Sequence, residues 1–177
     1  LAAKLIKNGD SIFLDCSTTA YHIALAVKDR RITVVTNSLT IGNCLAGSKD
    51  VHLIVVGGRL NRMHMCLTGR DAAEAIARYH VDKAFISCRS VSMEHGITDS
   101  NDEIAEIRRL ILDHANEVYL IADHTKFNKT SFVNIGGIDR LTGVIADIAF
   151  DERWQDHFNS HKIMVYAPSD EAEALQK

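Results

Sequence analysis

The sequence predicts an α/β fold, with a mostly parallel sheet and helices on both faces. Two observations support this prediction. Seven apolar runs of strand length alternate with six helical patterns along almost all of the 177 residues, and such alternation is typical of βαβ units. The strand runs are also nearly continuous in apolar residues, as in 51–56 and 118–122. Continuous apolar runs are typical of parallel strands that are buried on both faces.

The first half of the chain repeats one arrangement three times, a strand followed by a short polar turn. After a helical pattern over 1–7, the predicted strands cover 11–15, 32–36 and 51–56, and helices over 19–28 and 38–47 follow the first two. We interpret the turn after each strand as the start of a helix. The first N–H groups of a helix lack intrahelical partners, and the helix dipole favours negative charge there. These junctions therefore predict a pocket for a small phosphorylated or polyhydroxylated ligand.

The second half continues the alternation. The predicted strands cover 82–87, 117–122, 142–146 and 162–166, and the predicted helices cover 70–79, 101–115 and 151–160. The helix over 101–115 has the clearest signals, because Asn101 or one of the two residues before it can cap its start and an apolar stripe begins at Ile104. Residues 1–168 are thus predicted to form one domain, followed by a polar tail over 169–177.

Composition narrows the class of protein. An apolar share of 46% is enough for a core, and a formal net charge of −3 gives no basic surface for nucleic acid. The four cysteines are widely spaced and form no C-x-x-C pair, so we interpret them as reduced thiols. No apolar run reaches the roughly 18 residues of a membrane span, and no signal peptide is visible. We expect a cytoplasmic protein without a membrane partner.

Ligands of open parallel sheets gather outside the carboxyl ends of the strands, so the polar residues that follow the strands are the candidate site. These residues are Asp15, Ser17, Thr18, Thr19, Asn37, Ser38, Gly57, Gly58, Arg59, Cys88, Arg89, Ser90, Asp123, His124, Thr125 and Lys126. Each has a structural alternative. The hydroxyl and amide groups can simply cap helices, the two glycines can form a tight turn, and Asp123 with Lys126 can be a surface pair. Their joint position favours a site.

Other catalytic and metal-binding patterns are weak. The nine histidines do not have the spacing of metal ligands. His157 and His161 are separated by one helical turn, but no third ligand lies nearby in sequence. The sequence contains no G-x-S-x-G, Walker A or G-x-G-x-x-G motif. We therefore predict no metal ion and no cofactor.

Eight short segments occur in one order along the chain, at 9–19, 35–38, 57–59, 69, 81–86, 95–99, 103–109 and 122–127. In this order they resemble the effector-sensing domain of DeoR-family bacterial transcriptional regulators, over roughly residues 1–150. The resemblance implies a fold similar to ribose-5-phosphate isomerase and the CoA-transferase-like group. It also implies an N-terminal winged helix-turn-helix, which this chain does not contain, and an effector that is a sugar phosphate or related metabolite.

The resemblance also implies roles for particular residues. The loop Ser17-Thr18-Thr19 matches the loop that holds a phosphate, and Asp123 with Lys126 matches a pair at the isomerase active site. Two positions depart from the family pattern. Arg89 stands in a loop that is often small and contains glycine, so it either contacts the ligand or narrows the pocket. Arg108 stands where the family often has Lys, and a guanidinium binds as a fork rather than as a point charge.

The favoured function is therefore ligand sensing by a regulator that is not an enzyme and usually represses carbohydrate catabolism. Operator DNA would be bound only through the missing N-terminal domain. Because such regulators bind two-fold operators, we expect a homodimer or homotetramer. One alternative is an aldose–ketose phosphate isomerase, with Glu106 or Asp123 as the base and Lys126 as electrostatic support, although the Gly-rich catalytic loop is missing. Another is a different CoA-transferase-like enzyme or an interaction domain.

Overall fold

The computed structural model describes residues 1–168. Within this range the chain forms six α-helices and twelve strands. The helices are α1 Ala2–Leu5, α2 Thr18–Val27, α3 Leu39–Leu45, α4 Arg70–Ile76, α5 Asp102–Asp113 and α6 Glu152–Ser160. The strands are β1 Ser11–Leu14, β2 Ile32–Thr36, β3 Val51–Val55, β4 Arg59–Asn61, β5 Cys66–Thr68, β6 Val81–Ile86, β7 Ser90–Ser92, β8 Gly96–Asp99, β9 Ala115–Ile121, β10 Val133–Gly136, β11 Gly143–Ile145 and β12 Met164–Tyr166. The predicted tail over 169–177 lies outside the described residues.

A seven-stranded sheet forms the centre of the fold, in the order β12-β11-β9-β6-β1-β2-β3. All of its neighbouring strands are parallel. Each of the seven strands predicted from the sequence belongs to this sheet, so the predicted fold class is confirmed. Ala115 is the main difference at a boundary, because it begins β9 rather than ending α5.

Two hydrophobic layers cover the two faces of this sheet. Alternate residues of one strand point to opposite faces, so Phe13 packs in one layer while its neighbours Ile12 and Leu14 pack in the other. Helices α4, α5 and α6 contribute to the layer around Phe13, and α1, α2 and α3 contribute to the opposite layer. The helices therefore lie on both faces, and the carboxyl ends of the strands are left for the loops.

The segment around β3 corrects two sequence interpretations. Strand β3 lies at the edge of the sheet and has a half-exposed burial pattern, so the prediction that it is buried on both faces is wrong. The turn Gly57-Gly58-Arg59 starts the antiparallel hairpin β4–β5 rather than a helix. Gly58 has a φ of +136°, and a Cβ there would lie 2.8 Å from the carbonyl oxygen of Thr68. Only glycine fits this close reversal of the chain.

A second, smaller sheet was not predicted. Strands β7, β8 and β10 form an antiparallel sheet of three strands in the order β10-β8-β7. An isolated bridge between Val91 and Phe127 joins β7 to the loop after β9. The turn into β8 contains Gly96, whose φ is +69° and whose added Cβ would lie 2.4 Å from the carbonyl oxygen of Gly136. The small sheet and the carboxyl ends of β1, β6 and β9 enclose one cavity.

Candidate functional site

A cavity of about 630 Å³ lies at the carboxyl ends of β1, β6 and β9. This volume is within the usual range for small-ligand sites, about 300–1,000 Å³. Its walls come from the loops after these three strands, from the start of α5 and from β7. Ten of the residues predicted from the sequence line it. They are Ser17, Thr18, Thr19, Cys88, Arg89, Ser90, Arg108, Asp123, Thr125 and Lys126.

The start of α2 forms one wall of the cavity. Ser17 caps the helix, because its Oγ accepts a hydrogen bond from the N–H of Ala20 at 3.1 Å. Thr18 and Thr19 are exposed, and their N–H groups find no acceptor among residues 1–168. The capping role and the ligand-binding role of this loop are therefore compatible. Free N–H groups, two hydroxyls and the positive end of the helix dipole together suit an anion.

A buried network of charges forms the floor. Arg108 reaches from α5 and contacts Asp15 Oδ2 through both Nε, at 2.9 Å, and Nη2, at 2.7 Å. Its Nη1 donates to Asp99, at the end of β8. The backbone N–H groups of Ser17 and Ser87 donate to the two oxygens of Asp15, at 2.9 and 2.8 Å. The guanidinium of Arg108 therefore connects α5 to the ends of β1 and β8. Both carboxylate oxygens of Asp15 accept hydrogen bonds.

The electrostatics of this network keep it charged. Burial alone raises the pKa of Asp15, but the Arg108 guanidinium and the hydrogen bonds from Ser17 and Ser87 hold it below the ordinary value. Burial alone lowers the pKa of Arg108, and the two carboxylates more than offset this effect. Asp15 is 1% exposed and Arg108 is 7% exposed, so most of both groups is unavailable to a ligand.

The loop after β9 supplies groups that do face the cavity. It forms a 3-10 turn over His124–Lys126, capped by Asp123, which accepts from the N–H and the hydroxyl of Thr125. The hydroxyl of Thr125 holds the pKa of the Asp123 carboxyl below its ordinary value. Lys126 Nζ donates to Ser87 Oγ at 2.9 Å and is half-buried. The predicted Asp123 and Lys126 pair therefore presents a carboxylate and an ammonium to the same cavity.

Two thiols line the cavity without becoming reactive. Burial raises the pKa of Cys88 to about 12. A hydrogen bond with the Cys66 thiol, together with burial, raises the pKa of Cys16. All four cysteines are free thiols. Because the thiolate is the nucleophilic form of cysteine, neither Cys16 nor Cys88 is activated for covalent chemistry at neutral pH.

The other predicted residues lie away from the cavity walls. Ser38 caps α3 by accepting from Ile41 N–H at 3.2 Å, and Asn37 donates to the carbonyl of Leu67 at 3.1 Å. The hairpin β4–β5 covers this end of β2, so Asn37 and Ser38 are buried beside it rather than open to a ligand. Their placement favours the capping alternative for Ser38.

Three further predictions concern the hairpin and α5. Gly57 and Gly58 belong to the turn into β4, and Arg59 pairs with Glu103 at the surface. Glu106 is exposed on α5 and does not line the cavity, whereas Arg108 on the same helix does. Positions two apart on a helix point in different directions, which explains this separation.

Several cavity residues were absent from the predicted site. Ser87, Ser100 and Lys129 line the cavity. Lys129 could have been predicted, because it follows Lys126 by three residues.

The described residues, 1–168, contain no metal-binding cluster and no membrane-spanning helix. No group of three or more His, Cys, Asp or Glu side chains in this range is placed to hold a metal ion. The rings of His157 and His161 are 4.6 Å apart at the end of α6. No helix in the described part of the chain is long and apolar enough to cross a membrane.

Comparison with known proteins places this geometry in context. A family model described as the DeoR C terminal sensor domain matches residues 1–148. The chain is 31% identical over 166 residues to the HTH-type transcriptional regulator IolR of Bacillus subtilis (strain 168), covering 93% of this chain and 66% of that protein. It is 35% identical over 147 residues to the HTH-type transcriptional repressor GlcR of the same organism, covering 83% and 57%. The glycerol-3-phosphate regulon repressor of Escherichia coli (strain K12) is 26% identical, with coverage of 82% and 58%.

The solved structures that resemble this chain share its fold at low sequence identity. A ribose-5-phosphate isomerase in complex with phospho-erythronic acid matches with a TM-score of 0.50 and 14% identity, over 71% of this chain and 49% of that one. The structure of eIF2B delta from Chaetomium thermophilum matches with a TM-score of 0.57 and 12% identity, over 81% of this chain and 51% of that one. The chain spans 66% or less of the length of each of the curated relatives named above.

Proposed function

The chain belongs to the family of DeoR C terminal sensor domains, and from this premise we propose that its cavity binds a phosphorylated sugar or a related metabolite. The start of α2 carries the proposal. There the exposed Thr18 and Thr19 offer free N–H groups and hydroxyls, and Lys126 lines the same cavity. A phosphate dianion satisfies these donors and the helix dipole together. Asp123 would accept hydrogen bonds from sugar hydroxyls.

Effector binding would regulate a DNA-binding domain that precedes this domain in the whole protein. The named relatives are an HTH-type transcriptional regulator, an HTH-type transcriptional repressor and a regulon repressor, and each is longer than this chain. The effector shifts the equilibrium between two arrangements only by its difference in affinity for them. We propose that the whole protein is a cytoplasmic homodimer or homotetramer that contacts operator DNA through that other domain. By this contact it would repress genes of carbohydrate catabolism.

The test is the double variant Ser17→Ala with Thr18→Ala. We expect it to weaken binding of triose, pentose or hexose phosphates by about tenfold or more, measured by titration calorimetry. The matched control is Ser38→Ala, which also removes a helix cap, worth about 1 kcal/mol, but lies outside the cavity. Equal affinities in the double variant and the unaltered chain would overturn the proposal, and so would an equal loss in the control.

The isomerase alternative makes a different prediction. It needs a base at the substrate, and of its two candidates only Asp123 lines the cavity, since Glu106 is exposed on α5. The two thiols that line the cavity are not activated. We therefore propose that the domain binds sugar phosphates without turnover. A coupled assay on ribose 5-phosphate that gave turnover above roughly 1 per second, ordinary for an enzyme, would favour the isomerase.

A further inference from the structure

The charges at the sheet edge of the cavity leave no positive charge free for a second anionic group. Three carboxylates meet there, those of Asp15, Asp99 and Asp123, against two cations, Arg108 and Lys126. The sum leaves one surplus negative charge beside the start of α2. A helix N-terminus contributes only about half a positive charge. One anionic group at the start of α2 uses this half charge, the free N–H groups and Lys126, so a second anionic group needs positive charge from elsewhere in the cavity.

Arg89 and Lys129 supply that charge, and Lys129 Nζ donates to the carbonyl oxygen of Thr125 at 2.7 Å. Both line the cavity, both are exposed, and neither forms an ion pair within residues 1–168. Their backbones are fixed to the small sheet, since Arg89 N–H donates to the carbonyl of Thr98 and Lys129 N–H to that of Val91, each at 3.1 Å. Together they turn the surplus of one negative charge into a surplus of one positive charge.

A buried hydroxyl next to Arg89 in the chain lines the same cavity. Ser90 follows Arg89 at the start of β7, lines the cavity and is 5% exposed. Its Oγ is 2.9 Å from Ser131 Oγ, so one of the two hydroxyls donates to the other. A guanidinium fork, an ammonium and a hydroxyl are the groups that bind a phosphate or carboxylate.

We infer that Arg89, Lys129 and Ser90 form a second anion subsite, and that the effector carries two anionic groups on one carbon skeleton. The inference rests on the proposed function, because the first anionic group lies at the start of α2. The second group, a phosphate or a carboxylate, lies against β7. Hydroxyls on the skeleton between them reach Asp123. Arg89 stands where the family often has a small loop that contains glycine. In this inference its side chain selects a ligand with a second anionic group rather than narrowing the cavity.

The first test locates the subsites with inorganic phosphate. At 19.6 kDa the domain suits amide NMR, and phosphate should perturb two separate sets of signals, one at Thr18 and Thr19 and one at Arg89 and Ser90. The double variant Arg89→Gln with Lys129→Gln should remove only the second set. The control is Lys28→Gln with Lys49→Gln, which removes the same charge from exposed positions outside the cavity and should leave both sets.

The second test compares two ligands with the same skeleton, fructose 6-phosphate and fructose 1,6-bisphosphate. We expect calorimetry to give at least about tenfold tighter binding of the bisphosphate, and the double variant should weaken the bisphosphate more than the monophosphate and so abolish this difference. Equal affinities for the two ligands, or an equal loss for both in the double variant, would overturn the second subsite.

The two proposals fail in different ways. Phosphate signals confined to Thr18 and Thr19 would overturn the second subsite and leave the proposed function standing. Loss of both sets of signals in the Arg89 and Lys129 double variant would mean that a single phosphate contacts both groups of residues. That result would also overturn the second subsite. No perturbation at either wall would overturn both proposals. Unchanged thermal melting of the double variant will separate these outcomes from misfolding.

Discussion

Arg108 and Arg89 line the same cavity but have different roles. Arg108 is 7% exposed and its guanidinium is occupied by Asp15 and Asp99. Arg89 is exposed and forms no ion pair within residues 1–168. Burial and pairing therefore decide which positive charges hold the protein together and which are available to a ligand. A cation in a cavity is a ligand contact only where the protein has left its charge unpaired.

Removing Arg108 should have the largest effect. In Arg108→Met the carboxylates of Asp15 and Asp99 stay buried without their counter-ion, and breaking a buried pair in this way costs about 3–5 kcal/mol. We expect the free energy of unfolding from urea denaturation to fall by that amount. Arg89→Gln is the matched control and should change it by less than about 0.5 kcal/mol. Similar losses in both variants would remove the distinction between the two arginines.

The pH dependence of the free energy of unfolding reports on the buried pair of Asp15 and Arg108. The pKa of Asp15 is lowered from 3.8 in the folded protein, so its ionised form stabilises the fold at pH values above 3.8, and that contribution is lost as the pH falls through the lower folded value. The measurement is urea unfolding of the unaltered chain and of Asp15→Asn at several pH values. We expect Asp15→Asn to be less stable at neutral pH and the gap to close in acid. A gap that widened below pH 3.8 would contradict this.

Lys126 belongs with the cations of the cavity that are available to a ligand. Because it lines the cavity and is anchored by Ser87, we expect Lys126→Gln to weaken phosphosugar binding by about threefold to tenfold, and the loss to shrink at high salt as the charge is screened. Unfolding should barely change. Lys28→Gln, an exposed lysine at the far end of α2, is the control. Unchanged calorimetric affinity in Lys126→Gln would exclude this lysine from the site.

The smallest effect is expected at Arg59, which pairs with Glu103 outside the cavity. Exposed ion pairs contribute about 0–1 kcal/mol, so Arg59→Gln should lower unfolding stability by less than that and leave sugar phosphate affinity unchanged. Arg70→Gln breaks another exposed pair, with Glu74, and should behave alike. A drop in affinity confined to Arg59→Gln would bring the turn at Gly57-Gly58 back into the site.

The sequence predicted the large sheet because its inner strands carry continuous apolar runs that only a doubly covered sheet can bury. It did not predict β7, β8 and β10, since strands of three or four residues leave no periodic pattern and their pairing depends on distant partners. The one local sequence signal of this small sheet was Gly96, in the turn into β8.

The site was predictable to the extent that the carboxyl ends of parallel strands share one edge. That rule brought Ser17, Arg89 and Lys126 to one cavity. It failed for the residues after β2 and β3, because the hairpin β4–β5 folds over that end of the sheet. The contact of Arg108 with Asp15 joins residues 93 positions apart, and no spacing rule in a single sequence reaches that far.

The position of β1 has a consequence for folding during synthesis. Strand β1 lies between β2 and β6, and β6 begins only at Val81. Ribosomes add about 5–20 residues per second, so about 4–14 s pass between the synthesis of β1 and that of β6, and one edge of β1 stays unpaired throughout this time. During that interval Ile12, Phe13 and Leu14 offer an apolar strand edge of the kind that recruits other chains. The nascent chain is therefore most exposed to aggregation before β6 arrives, and slowing synthesis between β3 and β6 would prolong that exposure.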